Sequence, residues 1–383
     1  MKTRFLTVAA LLASTVSAQA VGLDRAGQRV GILFETGNHA ELTFSYTDPS
    51  ISGNAYPAFG GGATGNVGQA FRGLSGGIKY DLNDQLSLAF IADEPYGADT
   101  LYPGSSTTTI LGTTGATVDS YALTALANYR LDSNWSVHGG LRYQEISAGV
   151  TLGGLAFNAP GTAPGTANGV NGYSGTFGSD GAVGYVIGGA YEIPDIALRV
   201  AVTYNSSTSH DLATRETIRG AQISAPGAIT EVDTPESLNI AFQTGVAKDT
   251  LVFGSLRYAR YSDTVVSPAG FSGATGNALT DLEDGFDFDI GVGRRFSEQW
   301  SGSVSVGFST KGDDDFVSPL APTNGSKFIA VGAKYDVNDS FAISGGVRYT
   351  SLGDAVASPG GRGVAPFEGN DAVSVGLKLA YKF

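Results

Sequence analysis

The last strand of the chain carries its organising pattern. From Asn370 onward, Val373, Val375, Leu377, Leu379, Tyr381 and Phe383 share one face of an extended chain, and Ser374, Gly376, Lys378 and Lys382 share the other. A strand with lipid on one side and a wet lumen on the other requires this alternation, and a soluble strand rarely stops on an aromatic residue. The same period of two recurs in fourteen segments: 40–47, 69–81, 85–95, 117–131, 134–150, 182–192, 196–206, 236–247, 250–265, 284–296, 299–309, 325–336, 340–351 and 370–383. Their separators alternate in length. Tight turns such as Leu82-Asn83-Asp84, Pro194-Asp195 and Asn338-Asp339 are followed by long loops rich in Gly, Ser, Thr and Pro. An even strand count with short turns at one end predicts an all-β fold, a 14-stranded antiparallel transmembrane β-barrel of the bacterial outer membrane.

Aromatic residues test that reading independently. Tyr80, Tyr129, Trp135, Tyr191, Phe296, Trp300, Tyr335, Phe341 and Tyr381 lie beside tight turns, in phase with the lipid face. Tyr46, Tyr143, Tyr204, Tyr258, Phe308 and Tyr349 lie near the long-loop ends. Two aromatic belts around an aliphatic band match the two bilayer interfaces.

The first residues read as an export signal over 1–20: Lys2 and Arg4, a short apolar run from Phe5 to Ala13, then Ala18-Gln19-Ala20 as a cleavage site. That run is shorter than the roughly 20 apolar residues of a membrane helix, and no other stretch approaches that length. Residues 21–39 do not alternate and are expected to form a short N-terminal lumen plug, with the barrel over 40–383. Leaving Ile32-Leu33-Phe34 in water would be costly.

Composition narrows the function classes. The chain lacks cysteine, so no disulfide framework supports it. Its net charge of −13 argues against a nucleic-acid partner. The acidity suits an outer surface bridged by divalent cations to lipopolysaccharide. Gly60-Gly61-Gly62-Ala63-Thr64-Gly65 fits a dinucleotide-binding pattern but sits in a loop with no helix after it. His39, His138 and His210 have no metal-ligand spacing, and no nucleophile set can be nominated. Neither a cofactor nor an enzymatic activity is expected.

A submotif recurs as Gly139-Gly140-Leu141-Arg142-Tyr143, Gly254-Ser255-Leu256-Arg257-Tyr258 and Gly345-Gly346-Val347-Arg348-Tyr349. The apolar residues face out, so Arg142, Arg257 and Arg348 face in, as do Lys79, Arg199, Lys334, Lys378, Asp287 and Asp289. Two readings stand: ion pairs that fill the lumen, or a guanidinium fork that receives a ligand carboxylate.

The run Gly22-Leu23-Asp24-Arg25-Ala26-Gly27-Gln28, with Ile32-Leu33-Phe34-Glu35-Thr36-Gly37-Asn38-His39-Ala40-Glu41-Leu42 and Asp48-Pro49-Ser50-Ile51-Ser52-Gly53, resembles the start of the FadL/TodX family. Those are outer-membrane channels for long-chain fatty acids and aromatic hydrocarbons. The resemblance implies capture of apolar molecules among outer loops, a pocket near the plug's N-terminus and lateral release where the third strand kinks. Gly22 and Leu23 match the family's residues that reach the pocket, where Val21 and Phe34 are expected beside them, and Pro95, Tyr96 and Gly97 mark the lateral gate. Pro95 cannot donate to a ladder and Gly97 frees the backbone, which fits a gap, although Pro95 could instead end the strand. The family's Asn-Pro-Ala motif before the first strand is replaced here by Glu35-Thr36-Gly37-Asn38, and the plug is shorter.

Thr151 to Ser179 and Thr100 to Val118 contain no charged residue but hold Leu152, Leu155, Phe157, Val170, Tyr173, Phe177, Leu101, Tyr102, Ile110 and Leu111. Such loops suit capture of greasy molecules better than selection of hydrophilic solutes. The expectation is a monomeric channel for passive uptake of a hydrophobic small molecule. A general hydrophilic pore and a structural or adhesive barrel are the alternatives.

Overall fold

The computed structural model describes residues 23–163, 165–280 and 282–383. The expected export signal, and with it Val21 and Gly22, lies outside the described residues.

Fourteen long strands form the wall: β1 His39–Ser50, β2 Phe71–Asp81, β3 Leu86–Asp93, β4 Gly115–Arg130 and β5 Trp135–Leu152. Then come β6 Tyr173–Ile193, β7 Leu198–Asn205, β8 Ser237–Ala247, β9 Thr250–Ala259 and β10 Gly285–Arg295. The series ends with β11 Trp300–Ser309, β12 Ser326–Asp336, β13 Phe341–Leu352 and β14 Asp371–Lys382. Successive strands pair antiparallel, and β14 returns to β1 with Leu379 opposite Leu42 and Leu377 opposite Phe44. Closure gives each of these strands a neighbour on both sides, where an open sheet would leave an edge that a bilayer penalises.

Along the wall the alternation sorts side chains as the sequence pattern requires. Leu141, Val331, Val347 and Leu377 are exposed on the outer face, whereas Arg142, Arg348 and Lys378 are buried within. The belt near the tight turns is made of cross-strand pairs. Trp135 lies 4.7 Å from Tyr191 and Trp300 lies 4.8 Å from Tyr335, ring centre to ring centre.

Several boundaries differ from expectation. Strand β3 ends at Asp93, not Glu94 or Pro95, and a separate short strand, Gly97–Leu101, pairs with the start of β4. Strand β6 starts at Tyr173, so the uncharged stretch 151–179 is largely strand at both ends. A hairpin of Ser209–Ile218 and Ile229–Asp233, which the alternation count missed, continues the β6 wall outward. The outer loops also carry the helix Ala269–Thr275 and a small sheet of Phe316–Val317, Ala355–Ala357 and Ala365–Phe367.

The loops have cores of their own. Leu152, Tyr173 and Phe177 pack with Leu212, Val232 and Phe271, while Tyr102, Ile110 and Leu111 pack with Val67 and Phe367. Most of the apolar loop residues expected to wait for ligand therefore stabilise the loops instead, because their burial removes apolar area from water.

Candidate functional site

The segment from Leu23 to Asn38 runs inside the barrel. Val30, Ile32 and Leu33 are buried against the inward-facing Ala89, Leu126 and Val186, each worth about 1.5–3 kcal/mol of burial. Gly77 makes the room: a Cβ there would press on the Ile32 side chain and on the Phe90 carbonyl. Polar ties complete the seat. The Arg257 guanidinium grips both Asp24 carboxylate oxygens at 2.6 and 2.8 Å and also reaches the Gln28 Oε1 at 3.2 Å. The Ser237 hydroxyl donates to that oxygen as well, and Asn239 Nδ2 donates to the Gly27 carbonyl. At the other end Lys79 Nζ donates to the Glu35 and Gly37 carbonyls. A buried bidentate pair with its remaining donors satisfied is a strong fixed point.

The wall is interrupted on one side. Strand β2 pairs with β3 only from Gly76, opposite Ala92, to Asp81, opposite Ser87. Higher up, Val67 and Gln69 bond to Leu101 and Asp99. Between these two zippered stretches, Phe71 to Ser75 has no ladder partner towards β3, and the chain at Glu94-Pro95-Tyr96 bends into the lumen. The bent backbone is nonetheless satisfied, as buried amides must be. Ser120 Oγ accepts from the Tyr96 N–H at 2.8 Å and donates to the Tyr96 carbonyl at 2.7 Å. The Pro95 carbonyl accepts from the Arg25 N–H, and the Gly97 N–H donates to the Leu23 carbonyl, each at 2.8 Å. Thus the luminal segment gives the bend the backbone partners that β2 does not. Tyr96 is buried and points inward, edge to face with Tyr261 at 6.5 Å, where burial pushes the Tyr261 phenol well above its ordinary pKa. A Cβ on Gly97 would displace the Arg25 side chain from its present position, so the glycine leaves room for it.

A cavity of about 220 Å³ lies beside the segment. Phe34, Arg29 and Ile32 bound it on the segment, Arg257 and Arg348 on the far wall, and Gly76, Gly77 and Ile91 below the interruption. It therefore reaches from the β8–β13 side past the segment to the β2–β3 seam. The site residues expected from sequence divide accordingly. Phe34 lines the cavity, with the Arg199 guanidinium 4.7 Å above its ring. Leu23 does not line it; its carbonyl is spent on Gly97 at the seam and its side chain packs beside Tyr96 and Tyr261. Pro95, Tyr96 and Gly97 form the bend itself.

The three recurrent arginines have three different surroundings. Arg142 is absorbed by the wall, donating to Thr124 Oγ1 at 2.9 Å and Asn205 Oδ1 at 3.0 Å. Arg257 holds Asp24. Arg348 stacks 3.9 Å over the Phe328 ring, and its Nε is buried without a hydrogen-bond partner among the described residues. Arg29 was missed in the sequence because the luminal segment has no period to assign its direction. It is half-buried near Asp287, Asp289 and Arg257, and desolvation lowers its pKa against the pull of the two carboxylates. Above the cavity a larger outer vestibule of about 1080 Å³ opens among the loops, with Phe157, Val170, Phe271, Phe316 and Leu320 on its walls.

The sequence profile of the outer membrane protein transport protein family (OMPP1/FadL/TodX) matches residues 74–377. The chain belongs to that family: it is an outer-membrane channel for hydrophobic compounds, not an enzyme. The matched region starts beyond residues 21–53, whose motifs first suggested the resemblance. Among solved structures, a Pseudomonas aeruginosa FadL homologue superposes with a TM-score of 0.70 at 13% identity, covering 92% of each chain. The Pseudomonas putida toluene transporter TodX gives 0.63 at 11% identity, and the Ralstonia pickettii toluene transporter TbuX gives 0.62 at 14%, each covering 97% of both chains. At such identities the likeness concerns the fold. No curated protein sequence matches the chain.

Proposed function

We propose that this channel takes up hydrophobic small molecules such as long-chain fatty acids, which enter through the outer vestibule, rest in the luminal cavity and leave sideways between β2 and β3. Residues 21–39 act as the plug that blocks a straight aqueous path, and a single chain suffices because it closes its own barrel. The observation that carries the reading is the cavity's reach from the plug to the interrupted seam, where Gly76, Gly77 and Ile91 form its wall. Arg348 is the favoured headgroup residue: its Nε and the Thr350 hydroxyl are buried without partners among the described residues, whereas Arg142 and Arg257 are already engaged. Lateral release would pass the ligand into outer-membrane lipid, without crossing the lipopolysaccharide saccharides.

The test is uptake of labelled oleate and labelled toluene by cells lacking their own hydrophobic-compound channel. The wild-type protein raises uptake, and Ser75→Trp, which fills the unpaired stretch of β2 from inside, abolishes the gain. Arg348→Met lowers oleate uptake about tenfold, as loss of a charged hydrogen bond would, and leaves toluene unchanged. No gain of either compound from a folded barrel would instead favour a hydrophilic pore.

A further inference from the structure

The Arg25 side chain spans the opening between β2 and β3. Arg25 leaves the luminal segment beside Pro95 and crosses towards the unpaired part of β2, its guanidinium 3.9 Å from the centre of the Phe71 ring. From there Nη2 reaches the Asp99 carboxylate at 2.6 Å, on the short strand that resumes the wall above the bend. Phe71 and Asp99 lie on opposite sides of the interruption, so the cation and its two partners tie one side to the other. Glu94, within the bend, faces the Leu74 backbone N–H across the same opening. Gly97 keeps the passage for the Arg25 side chain clear, since a Cβ there would collide with it.

We propose that Arg25 and Asp99 form a bolt across the lateral opening, and that the opening is passable only when this ion pair parts. This inference rests on the lateral-exit reading above. The segment carries two consecutive charges with unequal settings. The Asp24–Arg257 pair is sealed, with both side chains 8% exposed, and has its geometry completed by Gln28 and Asn239. In the Arg25–Asp99 pair the carboxylate is 31% exposed, and Arg25 Nε is buried without a partner among the described residues. A pair that is partly hydrated and incompletely satisfied is the weaker of the two. It therefore parts first, while Asp24 still anchors the segment to β9. What must break along with it is the short run of backbone bonds from Leu23, Arg25 and Ala26 to Pro95 and Gly97.

The chain contains no cysteine, so a single Ser75→Cys substitution on the inner face of the unpaired stretch gives one reporter thiol. Its reaction with a lipid-soluble maleimide is measured in outer membranes, with heat-modifiable gel migration confirming a folded barrel. Arg25→Ala and Asp99→Ala are each expected to raise the labelling rate about tenfold, the factor that a loss of 1.4 kcal/mol of closing free energy gives. The exchanged pair, Arg25→Asp with Asp99→Arg, is expected to return the rate to within a few-fold of the parent. Labelling unchanged in both single variants of a folded barrel overturns the bolt, and so does an exchanged pair that labels like the single variants. Toluene uptake, measured in the same variants without the reporter, tests the exit separately. Faster labelling with unchanged uptake upholds the bolt and rejects the lateral exit.

Discussion

The β2–β3 seam and the β12–β13 seam start from the same alternation and end differently. Strands β12 and β13 pair without a break from Ser326, opposite Leu352, to Asp336, opposite Ala342. Strand β2 pairs with β3 only over its lower half, Gly76 to Asp81. The difference does not lie in the outward residues: both seams carry an apolar band with one cation towards the outer end, Arg72 on β2 and Lys327 on β12. It arises because Glu94-Pro95-Tyr96 finds partners away from the sheet: Ser120 takes both Tyr96 backbone groups, and the luminal segment takes the Pro95 carbonyl and the Gly97 N–H. A ladder can be interrupted inside a membrane when each freed group is satisfied elsewhere in the protein.

The comparison is broken most severely by unseating the luminal segment. Arg257→Ala leaves Asp24 as an uncompensated buried carboxylate, which costs about 3–5 kcal/mol of docking. The expected result in planar bilayers is a larger, steadier conductance than that of the wild type. Replacing both partners by leucine restores much of the closed behaviour, because no unpaired charge remains.

The two seams are contrasted directly by placing the same charge on each outer face. Val331 and Leu74 are both 51% exposed. Val331 lies between Val304 and Val347 on the unbroken wall, midway between Tyr335 and the level of Phe308, which stands opposite Lys327. Val331→Arg should destabilise the barrel by about 2–4 kcal/mol, as for an arginine at the bilayer midplane. Leu74 stands beside the interruption, two residues from the native outward-facing Arg72, and Leu74→Arg should cost about 0–1 kcal/mol, as near an interface. Urea titration of the refolded barrel in lipid vesicles, followed by tryptophan fluorescence, measures both. Equal costs would place the opening at the same depth as the Val331 wall.

The smallest effect is expected at the rim. Arg260 pairs with Glu236 at 3.3 Å and Asp263 at 3.2 Å but is about half exposed, so Arg260→Ala should change stability by less than about 1 kcal/mol in the same titration. A larger loss would mean that the loops above β9 support the wall.

Much of the fold was legible in the chain because a membrane wall must obey one rule at nearly every residue. Period-two alternation, turn length and aromatic phase each reported the same fourteen strands. They also gave the inward direction of Arg142, Arg257 and Arg348, since a strand residue has only two faces to choose from. The hairpin of residues 209–233 escaped notice because it stands beyond the lipid, where outward positions need not be apolar. The three arginines share one local motif yet contact wall hydroxyls and amides, a segment carboxylate and an aromatic ring, because their partners come from other strands and from the segment.

What the sequence determined by itself was the barrel: its strand number, its lipid face, its belts and the sign of the charges within. Tertiary structure alone decided the site. The segment 23–38 has no period of its own and acquires its path from tertiary partners, chief among them Arg257, Lys79 and the inward apolar patch that receives Ile32 and Leu33. Pro95 and Gly97 made a break in β3 possible without requiring it. The break became part of the wall only where Ser120, Leu23, Arg25 and Asp99 met it in space, because an unpaired backbone survives in lipid only with partners from elsewhere in the fold.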